Sequence, residues 1–114
     1  MKDPIIPLQD ILREIDFLQS LRRRSTFESF KDNSADVRAA SYALLIISEA
    51  VRRVPEEWLD AHPDIPWHAI RMIGNKLRHE YHRVSEVILW DVICSHLHPL
   101  EAATQKIIAA RSQH

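Results

Sequence analysis

Apolar residues recur every three or four positions along most of this 114-residue chain, which contains a single glycine. That spacing is typical of helices with one buried stripe, whereas a half-buried strand would alternate apolar and polar residues. With 46% hydrophobic residues, the chain has enough apolar surface to build one core. We therefore predict one all-α domain over residues 1–114, an up-and-down bundle of four to five helices.

Caps and prolines predict where these helices begin and end. The first helix is expected over residues 7–23, and the second over residues 34–54 with Ser34 as its cap. The acidic stretch 55–66 holds three prolines and predicts a loop with one short helical turn. The third helix is expected over residues 67–83, and Ser85 is expected to cap the fourth.

Charge, cysteine content and hydropathy narrow the class of protein. A net charge of −1 argues against a general nucleic-acid coat. The lone cysteine, Cys94, cannot form an intrachain disulfide, and the N-terminus lacks the continuous apolar stretch of a secretory signal. No apolar run approaches the roughly 20 residues that span a bilayer. We expect a soluble, cytoplasmic protein with no membrane segment.

The predicted third helix carries the richest chemistry of the chain. Arg71, Asn75 and His79 are spaced by four residues, so a continuous helix places them along one side. Gly74 falls in the apolar stripe of the same helix and costs roughly 1 kcal/mol relative to alanine there. We expect another backbone to approach it closely, either that of the second helix or that of a dimer partner. The rest of the stripe consists of Trp67, Ile70, Leu77 and Tyr81.

Basic residues outnumber acidic ones on this helix. Between residues 66 and 83 a single acid, Glu80, accompanies four bases, which are Arg71, Lys76, Arg78 and Arg83. That balance suits a local anionic ligand, such as one phosphate group or one RNA segment, better than a long DNA track. An ordinary solvated helix face is the alternative interpretation.

Several classes of site are disfavoured by what the chain does not contain. No Glu-x-x-His or His-Glu-x-x-His pair accompanies the seven histidines, so we expect no metal. There is no Gly-x-Ser-x-Gly elbow for a nucleophilic serine, and one glycine cannot form a phosphate-binding glycine loop. We therefore expect no cofactor.

An acid–base and electrostatic set remains, formed by His79, Asn75 and a guanidinium from Arg71 or Arg78. Cleavage of RNA needs no protein nucleophile, because the 2′-hydroxyl of the substrate can attack the adjacent phosphorus once a base removes its proton. Imidazole exchanges protons near neutral pH, and arginine and asparagine can stabilise and position phosphoryl oxygens. A purely structural role for a helix histidine beside arginines is the alternative.

The segment from Gly74 to Tyr81 resembles the Arg-Asn-x-x-x-His-x-Tyr signature of HepT-like proteins in the HEPN superfamily. Residues 45–50 are similar to the family segment Leu-x-Ile-Ile-Gly-Glu-Ala, and residues 62–67 to its Pro-x-Ile-Pro-Trp entry into the motif helix. Trp90, Pro99 and Leu100 also fall where a family member has its final tryptophan and Pro-x-Leu. The likeness covers nearly the whole chain.

This resemblance implies a helical bundle of HEPN type that forms a homodimer around the motif helices. It also implies a metal-independent ribonuclease toxin, paired with a minimal nucleotidyltransferase antitoxin that adenylylates a tyrosine. By position, His79 is the catalytic histidine, Asn75 positions the phosphate and Tyr81 is the modification target. Lys76 and Arg83 are expected to bind the RNA substrate.

One departure from the family pattern concerns the catalytic arginine. Gly74 stands at the position of the motif arginine, the group that would stabilise charge on the phosphorane. Either Arg71, one turn earlier, or Arg78, adjacent to His79, is the candidate replacement. A catalytically inactive HEPN subunit that binds and regulates a nucleotidyltransferase is therefore the alternative function.

Overall fold

The protein is all-helical. The computed structural model describes residues 3–80 and 84–112, except for the side chain of Ser112, and these residues form seven helices and no strand. The all-α prediction is confirmed, but the predicted total of four to five helices is not, because two five-residue helices lie between longer ones. The helices are α1 (Ile5–Arg23), α2 (Phe27–Lys31), α3 (Ser34–Arg52), α4 (Glu56–Asp60), α5 (Trp67–His79), α6 (Glu86–Ser95) and α7 (Leu97–Ser112).

The core forms around α3, which packs most extensively against α5 and α1, while α1 also packs against α7. The three- and four-residue spacing of the sequence accounts for the buried faces of α1 and α3. The fully buried side chains on these two helices include Ile11, Ile15, Leu18, Leu21, Ile47 and Val51.

Side-chain caps begin several helices. The Ser85 hydroxyl accepts a hydrogen bond from the amide of Ile88 at 3.2 Å, which confirms the predicted cap of α6. The predicted cap of α3 is wrong by one residue, because Asn33 has extended backbone and accepts from the amide of Asp36 at 3.1 Å. Ser34 is therefore already helical, and its hydroxyl is not the cap.

A short helix, α2, joins α1 to α3. Thr26 and Ser29 cap each other's backbone amides, which organises the single turn of α2. Phe30 at its end is fully buried and lies 5.2 Å from the ring of Trp90, measured between centroids. Through this aromatic contact α2 packs against α6.

Trp67 fixes the start of α5. Its indole Nε1 donates to the carbonyls of Leu59 and His62, both at 3.0 Å, so the ring is anchored to α4 and the loop after it. The short helical turn predicted within residues 55–66 is confirmed as α4. At its other end α5 is shorter than predicted: it ends at His79, and Glu80 leaves the helical region with φ −138° and ψ 43°.

Within the part of the chain that the structure describes, no helix is long and apolar enough to cross a membrane.

Candidate active site

One face of α5 is buried in the bundle, and the other carries the polar side chains. Trp67, Gly74 and Leu77 are buried, whereas Asn75 is half-buried and His79 is exposed. Helical geometry separates residues 71, 75 and 79 by about 40° at each step, so they lie within about 80° of one another along about 12 Å of helix. The polar face of α5 therefore carries the sequence-predicted set in one line.

Gly74 is required by the close approach of α3 within the same chain. A Cβ at position 74 would lie 2.0 Å from the Oγ and 2.6 Å from the Cβ of Ser48. Ser48 stands where the similar family segment has glycine, so the small residue lies on α5 here and on α3 in the family pattern. A side chain at the motif-arginine position would therefore force α3 and α5 apart. Of the two neighbours predicted for Gly74, the second long helix is the one observed, and it approaches with the side chain of Ser48 and not, as predicted, with its backbone.

Arg71 is held by an acidic residue of α4. Its Nη2 lies 2.9 Å from Oε2 of Glu56, and only 20% of the Arg71 side chain is exposed. Its backbone carbonyl accepts two further hydrogen bonds from α3, from the hydroxyl of Ser48 and from Arg52, each at 3.1 Å. Arg71 thus contributes to the α3–α5 contact through its backbone and directs its charge towards α4.

Arg78 pairs with Glu49 of α3. Glu49 is thereby paired with a base of α5. Both side chains are roughly two-fifths exposed. The Glu49 oxygen that faces Arg78, Oε1, is itself shielded from solvent.

Asn75 is oriented by a residue that sequence reasoning missed. Nη2 of Arg52, the last residue of α3, donates to Asn75 Oδ1 at 2.9 Å. The four-residue spacing of Ser48 and Arg52 places both on one face of α3, but only the pairing of α3 with α5 identifies that face as part of the site. The Asn75 amide nitrogen also lies 3.6 Å from Sδ of Met72.

His79 and Lys76 occupy the last turn of α5, and both are exposed. Cationic side chains are favoured there by the helix dipole. Neither side chain makes a hydrogen bond or ion pair with the described residues. Tyr81 and Arg83, the predicted modification target and substrate-binding residue, lie outside the described residues.

An apolar cavity of about 240 Å³ lies on the opposite face of α5. Among the described residues that line it, only Asp64 and His96 are titratable, and neither Asn75 nor His79 reaches it. We therefore place the candidate site on the polar face, where the acid–base and cationic groups are. The apolar walls include Leu44, Ile47, Ile70, Ile73 and Leu100.

Metal-ligating residues are dispersed over the described ranges 3–80 and 84–112. Within these ranges, no three His, Cys, Asp or Glu side chains are grouped so that they could hold a metal ion. The groups that the polar face of α5 does offer are imidazole, carboxamide, guanidinium and ammonium. These groups can exchange protons and bind anions.

A small helical bundle with this polar face belongs to the class of proteins that can bind phosphate groups and exchange protons beside them. The model of the family described as "Ribonuclease HepT-like" matches residues 11–107. The chain belongs to the HepT-like ribonuclease family.

Individual relatives extend this match to nearly the full chain. A protein named as a candidate RNase from Caldanaerobacter subterraneus subsp. tengcongensis is 35% identical over 95% of this chain and 96% of its own length. A protein named "probable ribonuclease HepT" from Thermococcus cleftensis is 30% identical over 88% and 91%, respectively. No solved structure matches the chain at a significant level.

Proposed function

We propose that this protein is a metal-independent ribonuclease that cleaves RNA through attack by the 2′-hydroxyl, with His79 as the essential acid–base group. One observation carries the proposal: His79 is exposed at the end of α5, in line with Asn75 and beside the cationic Lys76 and Arg78. Membership of the HepT-like ribonuclease family supports RNA as the substrate class.

In the proposed reaction, the imidazole removes the proton of the 2′-hydroxyl, and the 2′-oxygen forms a bond to the adjacent phosphorus. The bond from phosphorus to the 5′-oxygen breaks, and an imidazolium returns a proton to that leaving oxygen. The products are a 2′,3′-cyclic phosphate and a free 5′-hydroxyl. Cationic groups beside the imidazole stabilise the charge on the phosphoryl oxygens in the transition state.

The test is the cleavage of a labelled RNA by His79→Ala. We expect the rate to fall about 10²- to 10⁴-fold, the usual contribution of a positioned acid–base group. His68→Ala is the matched control, because His68 is also exposed and lies on the same helix. RNA methylated at every 2′-oxygen should resist the wild-type protein, and EDTA should leave its rate unchanged. Undiminished cleavage by His79→Ala would refute the proposed chemistry.

We further propose that two copies of the chain assemble around their α5 helices, so that both His79 side chains meet one scissile linkage. Sedimentation of the purified protein tests this assembly. A monomer that retains full cleavage would contradict it.

The proposed regulation follows the family resemblance: the chain is a cytoplasmic toxin that a minimal nucleotidyltransferase antitoxin neutralises by adenylylating Tyr81. AMP adds bulk and negative charge, which would repel an RNA phosphate. Mass spectrometry after incubation with ATP and the nucleotidyltransferase should detect AMP on the wild-type protein and none on Tyr81→Phe. Equal labelling of both would rule out Tyr81 as the target.

A second candidate function is favoured by the ion pairs of Arg71 with Glu56 and of Arg78 with Glu49. A catalytically inactive subunit that binds and regulates a nucleotidyltransferase needs no guanidinium available for a phosphate. If His79→Ala loses both RNA cleavage and the ability to arrest growth, the enzyme is favoured. Nucleotidyltransferase binding without any cleavage by the wild-type protein favours the regulatory subunit.

A further inference from the structure

We infer that Arg52 of α3 is a further phosphate-binding residue of the proposed RNA site and supplies the guanidinium that α5 lacks at position 74. This inference rests on the proposed function and extends the site beyond the motif helix. Arg52 belongs neither to the motif nor to the basic residues of α5.

The packing of α3 on α5 explains why this guanidinium comes from another helix. Ser48 fills the space that a side chain at position 74 would need. Arg52 lies one turn after Ser48 on the same face of α3, and both side chains donate to the carbonyl of Arg71 at 3.1 Å. The contact that disfavours an arginine on α5 therefore brings Arg52 beside Asn75 of that helix.

The hydrogen bonds of Arg52 hold it in place and leave donors for a ligand. A guanidinium has five N–H donors, and the two on Nη2 are directed at the Arg71 carbonyl and at Asn75 Oδ1, at 3.1 and 2.9 Å. No described residue accepts a hydrogen bond from Nη1 or Nε. A fixed guanidinium with unused donors matches the geometry of phosphate oxygens.

The charge of Arg52 also distinguishes it from the two arginines of α5. Arg71 and Arg78 each face a carboxylate, whereas Arg52 forms no ion pair with any described residue. Its side chain is exposed, so an RNA backbone can approach it. Because Asn75 precedes His79 by one turn, a phosphate bound by Arg52 beside Asn75 lies about 6 Å along the helix from the imidazole-bearing residue.

The salt dependence of RNA binding tests this role. The probe is a single-stranded RNA methylated at every 2′-oxygen, which binds but cannot be cleaved by 2′-hydroxyl attack. We expect Arg52→Gln to reduce the slope of log K against log salt concentration by about 0.7, the value for one lost phosphate contact on a single strand. Cleavage of unmodified RNA should fall about 10²-fold.

Arg53→Gln is the matched control, because it removes the same charge from the adjacent position. Arg53 is exposed and lies 3.6 Å from a carboxylate oxygen of Asp10, away from Asn75. Its slope should equal that of the wild-type protein. Circular dichroism and urea unfolding confirm that both variants are folded.

Asn75→Ala separates direct phosphate binding from mere orientation of Asn75. If Arg52 binds the phosphate, Asn75→Ala keeps the wild-type salt slope, and Arg52→Gln lowers it in either background. If Asn75→Ala lowers the slope as much as Arg52→Gln, and the double variant adds nothing, Arg52 acts only through Asn75 and the inference is overturned.

The outcomes for this inference and for the proposed function can be told apart. If Arg52→Gln keeps the wild-type salt slope and the wild-type protein cleaves RNA, the inference is overturned and the nuclease proposal is retained. An Arg52-dependent slope without any RNA cleavage supports the inference and refutes the nuclease. Absence of RNA binding by the wild-type protein overturns both.

Discussion

Gly74→Ala should destabilise this protein, although alanine is the better helix former. In an exposed helix the substitution stabilises by about 1 kcal/mol. Here the new Cβ would lie 2.0 Å from the Oγ and 2.6 Å from the Cβ of Ser48, which is itself fully buried. Rotation of the Ser48 hydroxyl removes the first contact and breaks the hydrogen bond to the Arg71 carbonyl, but it leaves the second contact unchanged.

The size of the effect follows from these distances. Carbon atoms pack at about 3.5–4.0 Å, so α3 and α5 must separate by about 1 Å at this point. Overpacking of this kind costs about 1–3 kcal/mol, and the lost hydrogen bond costs about 1 kcal/mol more. After the helix-propensity gain is subtracted, we expect a loss of about 2 kcal/mol, or roughly 30-fold in the unfolding equilibrium.

Urea unfolding, followed by circular dichroism at one protein concentration, measures this loss. Ser48→Gly removes both contacted atoms, so it should rescue Gly74→Ala by about 1–3 kcal/mol relative to the sum of the two single changes. Ser41→Gly is the matched control, because Ser41 is also a buried serine of α3 whose hydroxyl bonds a carbonyl of its own helix. It should not rescue. A Gly74→Ala protein as stable as the wild type, or equal rescue by both glycines, would refute the reasoning.

Two further predictions concern stability. Trp67→Phe should lower the free energy of unfolding by about 1–3 kcal/mol, because phenylalanine cannot donate to the Leu59 and His62 carbonyls; an unchanged urea midpoint would contradict this role. Asn33→Ala should cost about 1 kcal/mol through loss of the α3 cap, whereas Ser34→Ala, one residue later, should cost much less in the same assay. A larger loss of stability in Ser34→Ala than in Asn33→Ala would show that Ser34 is the cap.

Features that depend on neighbours in the chain could be predicted from the sequence. The apolar spacing of α1 and α3, the Ser85 cap and the short helix before Pro66 are local properties, because each depends on residues within one or two turns. Errors of one residue, such as Ser34 in place of Asn33, arise where two adjacent residues can both cap a helix. Placement of Arg71, Asn75 and His79 on one side of α5 needed only the helical period.

Ion-pair partners could not be predicted in the same way. The acidic stretch 55–66 holds four carboxylates, and only the tertiary structure shows that Arg71 pairs with the one of Glu56. The pairing of Arg78 with Glu49 likewise requires the register of α3 on α5. These contacts join residues 15 and 29 positions apart, a separation at which helical periodicity carries no information.

By itself, the sequence determined that the chain is all-helical, that one helix carries Asn75 and His79 on its polar side, and that the motif arginine is replaced by glycine. Only the tertiary structure decided what opposes an arginine at position 74 and which guanidinium lies beside Asn75. The physical reason is that steric exclusion by Ser48 and hydrogen bonding by Arg52 depend on how closely two helices pack, and that distance is set by the side chains of both.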